Sequence, residues 1–137
     1  MSVKEYLYNS DLYSRLLGVS IESCVSGYCR LIVPVKEKIL NSNGEVYSVV
    51  LYFLCSIALN IAAASINEYW DINSCSGFNV SFLHSVKSGN LYVDGRVILN
   101  SEKMMITTAD IMDESGNNIT VCYHKKKLLV MREKDVN

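Results

Sequence analysis

The sequence predicts an α+β fold in which an antiparallel sheet wraps around one long central helix, at about residues 46–66. Three observations carry this. Val46 to Asn67 run without a single charged residue. Segments rich in strand formers flank that run on both sides, and turn-forming clusters separate them. The resulting order is strand–strand–helix–strand–strand–strand–strand, with no internal repeat and no linker. A length of 137 residues suits a single domain spanning 1–137. A chain this long buries about two thirds of its unfolded surface and needs no disulfide or metal to hold it.

In chain order, Val3, Tyr6, Leu7, Leu12, Tyr13, Leu16 and Leu17 fall at roughly helical spacing, and Gly18 stops them. They predict an N-terminal helical segment at about 3–17. Residues 19–25 and 28–35 read as a hairpin turning on Ser26-Gly27. That register sets Cys24 opposite Cys29 and Val25 opposite Tyr28. Opposed cysteines are near enough for a disulfide, and in a reducing compartment they are two thiols on one face. Residues 36–45 form a polar connection. Strands follow the helix at about 75–86, 90–101, 103–113 and 118–131. Lys87-Ser88-Gly89-Asn90, Ser101-Glu102 and Glu114-Ser115-Gly116-Asn117 supply the breaks.

Composition narrows the function. Hydrophobic residues are 50% and charged residues 20%, with mean hydropathy +0.16, which excludes a disordered tail. The apolar surplus points to a membrane, a partner subunit or a ligand tunnel. Thirteen Lys and Arg against fourteen Asp and Glu leave a net charge of −1. The one basic run is Lys125–Lys127, which argues against nucleic acid. The N-terminus lacks the apolar stretch of a signal peptide, which predicts a cytoplasmic chain. Five cysteines without a C-x-x-C pair or a paired Cys/His spacing predict no metal site, and no bound cofactor is expected.

The uncharged run is long enough to span a bilayer. Asn60, Asn67 and the serines at 48, 56 and 65, together with strands that need an apolar partner, favour a buried central helix instead of a membrane span. Ser48, Tyr52, Ser56 and Asn60 recur at i+4 and make one polar stripe. Their polar groups bond back to helix carbonyls, or the stripe lines a ligand tunnel or a dimer seam.

Leu40-Asn41-Ser42-Asn43-Gly44-Glu45-Val46-Tyr47-Ser48-Val49 leads into the helix, and Asn79-Val80-Ser81-Phe82-Leu83-His84-Ser85 precedes the turn Ser88-Gly89-Asn90. With the order of elements, these stretches resemble the PaaI-like hotdog-fold thioesterases over about residues 15–131. That family carries L-N-x-x-G-x-x-H-G-G before its central helix, an acidic residue about seven positions later, and N-x-x-F-L-R-P before a G-D turn. The resemblance implies the hotdog fold and a homodimer, or a homotetramer, that buries its helices between subunits. It also implies an acyl-CoA thioester bound at the dimer seam, with coenzyme A entering as part of the substrate.

The resemblance assigns roles to residues. Asn41 and Gly44 match the loop. Tyr47 stands at the His, and Ser48 and Val49 at the two glycines, whose N–H groups bind the thioester carbonyl. Ser56 stands at the acidic residue, which serves the family as base or nucleophile. His84 stands at the Arg, and Cys75 lies near a position that is often Ser or Thr. Asn41 and Ser56 are thus the candidate catalytic residues. Gly44, Tyr47, Tyr52, Cys75 and His84 are candidates for ligand contact. His84 or His124 could activate Ser56 if either reached it. Lys125–Lys127 read as an exposed strand end or, with Arg96, Lys87 and Lys103, as a rim for coenzyme A phosphates. Two functions follow: a thioesterase-like hydrolase, or a catalytically silent hotdog protein that binds acyl-CoA or another apolar ligand or acts only as a structural oligomer.

Overall fold

The computed structural model describes residues 12–66 and 77–127. The proposed segment at 3–11 and Cys75 lie outside them. In chain order the elements are α1 (Leu12–Leu17), β1 (Ser20–Val25), β2 (Tyr28–Pro34), a 3-10 turn (Glu37–Ile39), α2 (Ser48–Ile66), β3 (Gly77–Phe82), β4 (Asn90–Asn100), β5 (Met104–Met112) and β6 (Asn118–Lys127). The strands form one six-stranded sheet in the order β1-β2-β4-β5-β6-β3, and every neighbouring pair is antiparallel.

The alternation along the strands explains which face meets the helix. Leu31 and Val33 of β2, Leu91 and Val93 of β4, and Ala109 and Ile111 of β5 are fully buried in one cluster with Leu54, Cys55, Ala58 and Leu59 of α2. The helix is long and apolar enough to cross a membrane, but the sheet takes it as its core. Contact is tightest at Gly95 of β4: a Cβ there would lie 2.5 Å from the carbonyl oxygen of Ala58. Only a glycine lets the strand run that close to the helix backbone.

The β1–β2 hairpin turns at Ser26-Gly27, with Gly27 at φ 80°, and Cys24 pairs with Cys29 across it. Both cysteines are free thiols. The turn is fastened to the far end of the helix, because the Gly27 N–H donates to Ser65 Oγ at 2.8 Å.

Among the described residues, two boundaries differ from the sequence reading by two residues or more. The helix starts at Ser48 and not at 46, since the Val46 N–H donates to Val86 O and the Tyr47 N–H to Ile39 O. β3 stops at Phe82, because the Leu83 and His84 N–H groups both turn to Ile119 O. His84 therefore sits in the loop after β3 and not on a strand.

Candidate functional site

Residues 40–46 form the loop that delivers the chain into α2. Leu40 and Val46 make an isolated bridge. Between them Asn41 organises a tight turn, its Oδ1 accepting from the Asn43 and Glu45 N–H groups at 2.9 and 3.1 Å. Gly44 completes the turn at φ 75°, a conformation that favours glycine. A Cβ there would meet nothing within 4 Å, so Gly44 shapes the turn and does not open a close approach. Asn41, expected beside the reacting group, spends its oxygen on the loop.

The loop aims the start of α2 outward. Tyr47 caps the helix through its carbonyl, which accepts from the N–H groups of Val50 and Leu51 at 3.0 and 3.2 Å. The N–H groups of Ser48 and Val49 find no acceptor among the described residues, and the first turn holds no acidic side chain. This is a pair of adjacent open donors at the positive end of a 19-residue helix, the arrangement that stabilises a developing oxyanion. Val49, at 69% exposure, stands over it, flanked by exposed Tyr47 and Tyr52.

An apolar groove of about 530 Å³ opens beside these donors, lined by Leu16 and Leu17 of α1, Lys38 and Ile39 of the 3-10 turn, and Val49, Val50 and Phe53 of α2. The Lys38 ammonium donates to the carbonyl of Leu16 and ties α1 across the groove. The size suits a small-molecule ligand. Sequence reasoning missed this groove; its signal was Leu16-Leu17 ending a helical pattern just before Gly18.

The polar stripe lies on the side of α2 that the sheet leaves open. Ser48 and Tyr52 are exposed, and Ser56 and Asn60 half-buried. The hydroxyls of Ser48 and Ser56 take no hydrogen-bond partner among the described residues, whereas Ser65 bonds back to Ala62 O at 2.7 Å. Neither His84 nor His124 therefore bonds to Ser56. His84 is exposed. His124 is buried, its ring edge-on to Phe78 at 5.4 Å, and the Phe78 ring lies tilted against Tyr52 at 4.6 Å. The described residues hold no group of three His, Cys, Asp or Glu side chains placed for a metal. Burial pushes the Cys29 thiol up to about 12, and Cys122 together with burial raises that of Cys55, so neither is an activated nucleophile.

The architecture is the hotdog fold of thioesterase-superfamily structures. Thioesterase superfamily member 2 of zebrafish has a TM-score of 0.81 and 17% identity, covering 93% of this chain and 94% of that one. The Escherichia coli PaaI protein from the phenylacetic acid degradation operon has a TM-score of 0.80 and 17% identity, covering 92% and 90%. A hypothetical thioesterase of Streptococcus pneumoniae, solved with coenzyme A, has a TM-score of 0.78 and 17% identity, covering 96% and 100%. No family model matches the chain, and no curated protein matches it.

Proposed function

We propose that this protein binds an acyl-CoA thioester, with the carbonyl on the N–H groups of Ser48 and Val49 and the acyl group in the apolar groove beside them. The observation that carries this reading is the adjacency of two unpaired backbone donors to a groove of about 530 Å³ lined by aliphatic side chains and Phe53. The coenzyme A bound in the pneumococcal structural neighbour supports the choice of thioester. Ser56 stands where hydrolysis needs a carboxylate, and a hydroxyl without a base cannot deprotonate water at neutral pH. Binding, with hydrolysis slow or absent, is the reading that fits this residue set.

The test combines calorimetry with thiol release over a panel of short, medium and aromatic acyl-CoA substrates. The expected result is micromolar binding of at least one of them and thiol release close to the uncatalysed rate. Ser56→Asp combined with Val49→Gly is expected to raise release by roughly 100-fold or more, in line with what a positioned base contributes. If no acyl-CoA binds at millimolar concentration, the thioester reading fails and a purely structural role stands.

A further inference from the structure

The β1–β2 hairpin brings together two thiols that the thioester reading leaves unused. Cys24 and Cys29 are opposed across the ladder, one step beyond the Val25–Tyr28 pair that closes the turn. In a hairpin with a two-residue loop the closing pair exchanges both hydrogen bonds. The next pair then exchanges none, and its Cα atoms stand about 4.5 Å apart. A disulfide takes Cα atoms at roughly 4.4 to 6.8 Å. Opposed residues also project to the same face of the sheet, here the face toward α2. Cys29 is fully buried in the core cluster, and Cys24 packs half-buried against it. Burial first, and then the charge of a Cys24 thiolate, push the Cys29 thiol up to about 12; the second cause needs the two sulfurs near each other.

The register of this pair is pinned. The Gly27 N–H donates to Ser65 Oγ at 2.8 Å, and a Cβ on Gly27 would lie 3.1 Å from Ile66 Cδ1, so the turn is seated on the last turn of α2. β1 itself is held lightly. Among the described residues it pairs with β2 alone, a bulge interrupts that pairing between Ile21 and Ser23, and none of its residues is buried. A covalent tie at Cys24 acts where the sheet has least to hold it. Cys24 is also the accessible member of the pair, half-buried where Cys29 is closed off.

We propose that Cys24 and Cys29 form a redox couple, which a low-molecular-weight disulfide oxidises to an intramolecular disulfide that staples β1 to β2. Cys24, as thiolate, attacks one sulfur of oxidised glutathione. The Cys24–glutathione S–S bond forms, the glutathione S–S bond breaks, and the departing thiolate takes up the proton that Cys24 gave up. Cys29 then loses its proton to solvent as its Sγ attacks Cys24 Sγ. The mixed S–S bond breaks, and the second glutathione leaves and is protonated. The two cysteines give up two electrons, and one oxidised glutathione becomes two reduced molecules. Cys29 surrenders its hydrogen bond to Ala58 O at 3.3 Å, but that carbonyl lies inside α2 and keeps its partner one helical turn on. The pair sits at the opposite end of α2 from the Ser48 and Val49 donors, so the inference does not rest on the thioester reading.

The test incubates reduced wild-type protein without oxygen at about pH 8, where Cys24 supplies some thiolate, over a series of glutathione mixtures. Each sample is quenched with acid, alkylated, cut with chymotrypsin, which cleaves at Tyr28 between the two cysteines, and read by mass spectrometry. The expected product is one disulfide joining the Cys24 and Cys29 peptides, lost again with dithiothreitol. Its ratio to the dithiol is expected to rise tenfold for each tenfold rise in oxidised glutathione at fixed reduced glutathione. The Ser23 and Val25 amides, which bond to β2, are expected to exchange hydrogen at least about tenfold slower in the oxidised protein. Cys29→Ala, with circular dichroism to establish folding, is expected to stop at the mixed disulfide on Cys24. Cys24→Ser, at the less buried position, is the second variant and is expected to leave Cys29 a thiol. Wild type that keeps both thiols, stops at the mixed disulfide, or links either cysteine to a different partner overturns the proposal. So does unchanged exchange in β1.

Discussion

The cysteines show how position, more than residue type, decides chemistry. Cys24 is half-buried at the hairpin. Its neighbour across the ladder, Cys29, is fully buried, with Sγ donating to Ala58 O at 3.3 Å, and burial carries its thiol up to about 12. The thiolate is the reactive form, so at pH 8 Cys29 has almost none. A thiol-specific reagent is expected to modify Cys24 at least about tenfold faster than Cys29, Cys55 or Cys122, with all of them equalising in denaturant. Peptide mapping after timed labelling measures this, and comparable rates in the folded protein would contradict the burial of the other three thiols. Asp94 makes the complementary point about legibility. In one strand it reads as an outward polar residue, and only the register of β2 on β4 reveals its clamp by Arg30. Ser56 and Val49 were legible, because a motif position is a property of spacing. The use of Asn41's oxygen within its own loop was not, since it depends on how the backbone turns.

Among elements, the strands were the most readable. Alternation fixes which face meets α2, and the Ser26-Gly27 turn fixes the hairpin register. Element ends were less readable, because tertiary hydrogen bonds set them: Val86 O and Ile39 O hold Val46 and Tyr47 out of the helix, and Ile119 O ends β3. The packing of α2 on β4 hangs on Gly95. A methyl group there would sit 2.5 Å from one backbone oxygen and 2.8 Å from the carbonyl carbon of Ala58, and backbone cannot swing aside as a flexible side chain can. Gly95→Ala must push helix and strand apart, loosening Leu54, Leu59, Leu91 and Val93 around it. Overpacking of this kind costs about 2 kcal/mol or more, and urea unfolding is expected to show a midpoint shift of that size. A change below about 0.5 kcal/mol would mean that helix and strand stand far enough apart to admit a methyl group.

At the scale of the molecule, the sheet covers one side of α2 and leaves the other open. Val49 is 69% exposed, and Tyr47, Tyr52, Phe82 and Leu83 lie between 42% and 48%; Tyr52 meets β3 through the Phe78 ring. Among the described residues β3 is also the last strand of the sheet, and an edge strand of this kind invites another strand. This accounts for the apolar surplus in the composition: part of it is core, and part is an open face. Covering that face with a second copy would remove several large side chains from water at about 1 kcal/mol or more each. The melting temperature of the wild type is therefore expected to rise with protein concentration. Phe82→Asp would set a charge under such a cover, and is expected to abolish the concentration dependence and to halve the mass seen in sedimentation. A wild-type melting temperature that does not change with protein concentration would mean that no second copy covers this face.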